Sequence, residues 1–151
     1  MNTAPGALVL DEAERVAIAR DVRTIAVLGI KDGRRDPDAA AYTVPAMFVA
    51  LGLRVIGVNP RYPEALGEPT LKSIAELPAG VDVLDVFRRA DAIPGHTDEL
   101  LALPPERRPP VVWLQSGIRH DASAARLVAA GFRVVQDACL GVYARRARRT
   151  R

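Results

Sequence analysis

Five short apolar runs punctuate the chain: TIAVLGI (24–30), RVIGVNP (54–60), VDVLDVF (81–87), PVVWLQSG (110–117) and FRVVQD (132–137). Each is rich in β-branched residues and bounded by turn formers, which predicts strands. They are apolar nearly throughout instead of alternating, as parallel strands covered on both faces are. Helical patterns lie between them. The stretch 39–52 sets Val44, Met47, Phe48 and Leu51 on one face and stops at Gly52. The stretch 90–103 carries Pro94, which suits a first turn. The stretch 120–131 has an early Asp121 and ends at Gly131. A single turn is predicted at 73–77 and an opening helix near 11–20. This alternation predicts an α/β fold: an open parallel sheet of about five strands with helices on both faces. Ligands of such sheets bind beyond the carboxyl ends of the strands, at a switch in strand order.

Composition adds limits. The chain has 151 residues, 49% apolar and 26% charged, as an ordinary one-domain globular protein does. No apolar run approaches the ~20 residues of a membrane span, and the N-terminus lacks the basic start of a secretory signal. A cytoplasmic address is therefore expected. The single Cys139 excludes an internal disulfide, and no metal site is expected. The net charge of +3 is concentrated at one end. Five arginines (145, 146, 148, 149 and 151) fall in the last seven positions, and removing them leaves 16 basic against 18 acidic residues. The expected layout is a near-neutral domain over 1–144 and a basic tail over 145–151. That tail is read as a frayed, solvated terminus, so nucleic acid is not the expected partner.

The chemistry collects at the predicted carboxyl ends. Lys31, Arg34 and Arg35 follow the first of the five runs, Asn59-Pro60-Arg61 the second, and Phe87-Arg88-Arg89 the third. No acid stands directly at these three tips. Cations beside helix starts suit a ligand with more than one phosphate. A dinucleotide fingerprint fails, because only Gly29 and Gly33 are present and no acid ends the second run. Arg61 in that place suits a phosphorylated ribose, so an NADP-type module stays open. A response-regulator reading fails because Asp85 lies inside its strand, short of the tip.

TIAVLGI, RVIGVNPRY, LGEPTLKSIAELPAGVDVLDVFRR, VVWLQSGIR and VVQDAC stand in this order along the chain. Together they closely resemble the small stand-alone CoA-binding proteins. These are similar to the N-terminal domain of the succinyl-CoA synthetase alpha subunit. The resemblance spans roughly residues 10 to 144. It implies a Rossmann-like domain that binds coenzyme A, or an acyl-CoA, across the strand ends. By resemblance, Gly29, Ile30, Lys31, Tyr42 and Thr43 hold the diphosphate. Asn59, Pro60 and Arg61 lie by the adenosine and its 3′-phosphate. Phe87, Arg88 and Arg89 line the central crevice, and Gln115, Ser116, Gly117 and Ile118 follow the pantetheine arm. Many relatives have Ser-Tyr-Arg where this chain reads Ala41-Tyr42-Thr43, so one hydroxyl and one cation are missing; either Arg34 or Arg35 replaces them or affinity is weaker. Neither His96 nor His120 stands in the synthetase's histidine motif, so ligase activity is not implied.

The implied ligand is a small molecule, with a homo-oligomer left open. An acyl-CoA-using transferase or enzyme partner is the alternative activity, although no general base or acceptor pocket is legible. Trp113 is expected in the core and His120 at a helix cap. Asp85 is expected as a carboxylate satisfied by buried donors. Cys139 is expected as a small buried hydrophobe. The resemblance instead places its loop near the ligand's thiol, where a reversible mixed disulfide with CoA becomes conceivable.

Overall fold

A computed structural model of the chain describes residues 6–149. In chain order the strands are β1 (Ala7–Leu8), β2 (Thr24–Leu28), β3 (Arg54–Val58), β4 (Glu64–Ala65), β5 (Glu68–Pro69), β6 (Val83–Val86), β7 (Val111–Leu114) and β8 (Arg133–Val135). The helices are α1 (Glu12–Asp21), α2 (Ala40–Ala50), α3 (Ile93–Ala102), α4 (Asp121–Ala129) and α5 (Leu140–Arg149). Six strands form one parallel sheet in the order β1-β8-β7-β6-β2-β3, and β4 and β5 form a separate hairpin.

The five apolar runs are the five long strands of this sheet. β6 and β7 are buried at every position, which accounts for their unbroken apolar character. The sixth strand, β1, pairs with β8 and was not expected. Its two exposed residues, Ala7 and Leu8, carry no strand-length pattern. Two cores sandwich the sheet. On one face Phe48 of α2, Ile18 of α1 and Leu140 and Ala144 of α5 pack on Ile25, Val83 and Trp113. On the other, Ile93 and Leu100 of α3 and Ala124 and Leu127 of α4 cover Leu84, Val112 and Leu114. Each large side chain fully buried in this way contributes about 1.5–3 kcal/mol. Trp113 is core, as expected; its indole N–H donates to the Ala138 carbonyl at 2.9 Å.

Two expectations are corrected. The basic run is not a free tail through residue 149. α5 carries it back against the domain, burying Ala144 and Ala147, and the Arg148 guanidinium donates to the Val22 carbonyl at 3.1 Å. Leu140, Tyr143, Ala144 and Ala147 give this helix an apolar side, which sequence charge alone concealed. Thr150 and Arg151 lie outside the described residues. Asp85 is fully buried, but neither carboxylate oxygen has a hydrogen-bond partner among the described residues. It stands between Val27 of β2 and Trp113 of β7, whose indole is already engaged. Burial pushes its pKa well above the ordinary carboxylate value.

The strand order has its switch between β2 and β6. From β2 the chain crosses through α2 to β3 on one side. β6, β7 and β8 then build outward on the other. The loops after Leu28 and Val86 therefore diverge at the carboxyl edge and leave a crevice there.

Candidate functional site

Gly29 opens the loop after β2 with φ of +87°. A Cβ at this position would come 2.4 Å from the Phe87 carbonyl oxygen and 3.2 Å from the Arg88 side chain. Only glycine lets the two loops of the switch point approach so closely. The Gly29 N–H donates to the Val58 carbonyl at 2.9 Å, which ties the third loop to the same point. Asn59 completes the tie: its side-chain amide donates to the Ile30 carbonyl and accepts from the Arg61 N–H, both at 2.9 Å.

Pro45 sits inside α2 and was not singled out in the sequence. Lacking an N–H, it leaves the Ala41 carbonyl without its helical donor. That carbonyl accepts from the Lys31 N–H at 3.1 Å instead. The proline thus couples α2 to the loop that carries Lys31. α2 begins at Ala40 without a side-chain cap, and Ala39, Ala40 and Ala41 all border the crevice. The Tyr42 and Thr43 N–H groups donate to the Ala39 carbonyl, both at 2.9 Å, so small side chains there leave the Ala40 and Ala41 N–H groups for an anion.

Two hollows meet at Arg88. The larger, about 610 Å³, is lined by Lys31, Ala39–Ala41, Val44, Phe87–Ala90, Gln115–Ile118 and Cys139. The smaller, about 280 Å³, is lined by Gly29, Asn59–Arg61, Lys72, Ser73, Arg88, His96 and Glu99 among others. Among the described residues, no carboxylate lies within salt-bridge distance of Lys31, Arg61, Lys72 or Arg88. Arg88 instead donates from Nε to His96 Nε2 at 3.3 Å, while His96 Nδ1 lies 2.7 Å from Glu99. A guanidinium can only donate, so Nδ1 of the neutral ring carries the hydrogen and donates to Glu99. This chain positions Arg88 over the junction.

Twelve of the fifteen residues singled out from sequence line the two hollows. The other three do not. Ile30 is 1% exposed and packs in the core. The Tyr42 ring covers Gly33, where a Cβ would come 2.3 Å from it. Thr43 faces a neighbouring groove between α2 and α5. Arg34 and Arg35 do not replace the missing cation of the helix start. Arg34 pairs with Asp32 and Glu64, and Arg35 lies over the Tyr62 ring at 4.8 Å.

Gln115 forms wall rather than hand. Its carbonyl oxygen accepts from the Leu140 N–H at 3.0 Å, fixing the start of α5, and its amide points at Cys139 Sγ at 3.6 Å. Cys139 is half-buried at the edge of the large hollow. His120 caps α4, accepting from the Ser123 N–H at 3.1 Å, as expected.

Lys72 and His96 escaped the sequence reading. Lys72 reaches the site because Leu71 bridges to Val58 at the tip of β3, a pairing with no sequence pattern of its own. His96 lies one helical turn into α3, and the one available signal was its spacing of three from Glu99.

Comparison with known proteins agrees with this architecture. A family profile described as "CoA binding domain" matches residues 23–145. An uncharacterized protein of Bacillus subtilis, YneT, is 33% identical over 131 residues, covering 87% of this chain and 92% of its own length. A solved structure from Thermus thermophilus is 41% identical, with a TM-score of 0.81, and covers 91% of this chain and 99% of that one. A hypothetical protein of Pyrococcus horikoshii, at 22% identity and a TM-score of 0.81, covers 97% and 99% and shares the fold.

Proposed function

This chain belongs to the CoA-binding domain family, and from that premise we propose that it binds coenzyme A across the carboxyl ends of its parallel strands. The carrying observation is that Lys31, Arg61, Lys72 and Arg88, around two hollows that join at Arg88, have no carboxylate within salt-bridge distance among the described residues, whereas Arg89 on the rim pairs with Asp91 at 3.5 Å. CoA is a ligand with three phosphates at one end and an uncharged arm at the other. The site has the same polarity. Arg61, Lys72 and Arg88 face the small hollow, which takes the adenosine end and its 3′-phosphate. Lys31 and the uncapped start of α2 hold the diphosphate at the mouth of the larger hollow. The pantetheine arm then follows Phe87 and the turn Gln115–Ile118 toward Val44 and Cys139, where the lining carries no charge.

The residues fit this ligand on structural grounds beyond charge. Gly29 draws the loops after β2 and β6 together, and Asn59 holds the loop after β3 in line with them. The platform is therefore built before the ligand arrives, which lowers the ordering cost of binding.

Calorimetry with CoA and with dephospho-CoA tests the reading. CoA is expected to bind with a dissociation constant of about a micromolar or below, and dephospho-CoA about 10- to 100-fold more weakly. That difference corresponds to the roughly 1.5–3 kcal/mol of a charge-assisted hydrogen bond. Equal affinities would remove the 3′-phosphate from the small hollow, and failure of both to bind would remove the reading.

A further inference from the structure

The wall of the large hollow does not end at Cys139. A groove of about 490 Å³ runs on between α2 and α5, and Val44 and Cys139 line both spaces. Its floor is apolar, formed by Val44 and Met47. Gly141 lets that floor pack directly against α5: a Cβ there would come 2.5 Å from the Met47 methyl and 3.1 Å from Val44. Val142, on the rim, is 53% exposed, an apolar side chain left uncovered.

The far end is cationic, and its two arginines differ. Arg146 pairs with Glu12 at 3.5 Å and lies over the Tyr143 ring at 5.3 Å. Arg145 reaches back to Met47, its Nη2 3.1 Å from the sulfur. A thioether is a poor acceptor for a guanidinium. Among the described residues no carboxylate lies within salt-bridge distance of Arg145. Val142 and Arg145 are three residues apart, so they stand on one face of the helix.

An apolar trough thus begins at the uncharged end of the proposed CoA site and ends at a cation without an anion. We infer that this groove receives an acyl chain carried on the CoA sulfur and ending in a carboxylate, so that the ligand class is an ω-carboxyacyl-CoA. The inference rests on the CoA reading, which points the sulfur toward Val44 and Cys139. From Cys139 to Arg145 α5 rises about 9 Å, room for a short to medium chain. A neutral acyl group gains only the burial of its methylenes against Val44 and Met47. A terminal carboxylate also replaces the thioether as the acceptor for Arg145, with a charge-assisted bond.

The test compares three ligands by calorimetry: CoA, S-hexyl-CoA and S-(ω-carboxypentyl)-CoA, stable thioethers that differ only in the chain. Wild type is expected to bind the carboxylated ligand about tenfold more tightly than the hexyl one. Arg145→Gln, an exposed change whose melting temperature serves as the folding control, is expected to bring the two within about twofold. A carboxylated ligand no tighter than the hexyl one, or a preference that survives in Arg145→Gln, overturns the inference while CoA binding to wild type still upholds the site. Failure of wild type to bind CoA itself overturns both.

Discussion

Two hollows of nearly equal size lie at opposite ends of the sheet, and they differ in what their cations are doing. The hollow at the amino ends, about 620 Å³, is lined by Pro109, Pro110, Gly131 and Phe132. Its arginines are engaged: Arg108 donates to the Leu103 and Leu101 carbonyls at 3.0 and 2.7 Å, closing the end of α3, and stacks over Phe132 at 5.9 Å. Arg133 lies 3.8 Å from Glu14. At the carboxyl ends the hollow of about 610 Å³ and its smaller neighbour are ringed by Lys31, Arg61, Lys72 and Arg88, which have no carboxylate within salt-bridge distance among the described residues. Volume does not distinguish these regions. Charge left available for a ligand does.

The glycines of the two ends sharpen the contrast most. Gly29→Val forces a side chain into the Phe87 carbonyl at a positive φ. It should cost about 2–4 kcal/mol of stability and abolish CoA binding in whatever folds. Gly131, at φ of +101°, has nothing within 4 Å of where a Cβ would stand. Gly131→Ala should cost only about 1 kcal/mol of strain and leave binding intact. Urea melts and calorimetry on both variants give the comparison.

Next in size is an exchange of arginines. Arg88→Ala should weaken CoA binding about 10- to 100-fold, with stability changed by less than about 1 kcal/mol, since the side chain is exposed. Arg108→Ala should do the reverse, losing about 1–2 kcal/mol of stability through the freed α3 carbonyls while affinity stays within twofold. If Arg108→Ala weakens binding as much as Arg88→Ala does, the contrast between the two ends fails.

Asp85 lies in the strand beneath the switch point and carries a cost that no counterpart offsets. Its folded pKa is raised, so the folded state holds the proton more tightly than the unfolded chain does. Stability from this group is then complete below the ordinary carboxylate pKa and is lost as pH rises toward the raised value. Asp85→Val should therefore stabilise the protein by about 1–2 kcal/mol at neutral pH, and the gain should shrink as pH is lowered toward 4. Thermal melts across pH that run parallel for variant and wild type would contradict this account.

The smallest effect is expected from Pro45→Ala. Restoring an N–H lets α2 reclaim the Ala41 carbonyl from Lys31. Stability should rise or hold within about 1 kcal/mol, while CoA affinity falls a few-fold because Lys31 is less firmly placed. Unchanged affinity would show that this coupling is not used.

Much of this was legible in the sequence, because the central strands are buried on both faces and so read as continuous apolar runs. The cations at their tips were legible for the same reason, since the end of a run marks the edge of the sheet. Short or composite features were not. β1 and the β4–β5 hairpin offer two residues per strand, and the hairpin turns through Leu66 and Gly67 with no Asn-Gly signal. Lys72 and His96 enter the site through tertiary placement alone. The arginines after residue 144 were misread as a tail because composition does not show that Ala144 and Ala147 face α1. Asn59 and Gln115 line the hollows, and their side chains also brace loops, a use that only the hydrogen-bond partners reveal.

The most direct test of the contrast between the two ends is a titration of isotope-labelled protein with CoA, followed by amide chemical shifts. The account predicts that shifts concentrate at Gly29, Lys31, Arg61, Arg88 and Gly117, while Gly131, Phe132 and Arg133 stay still. Shifts clustered at Gly131–Arg133, or spread evenly over both ends, would contradict it.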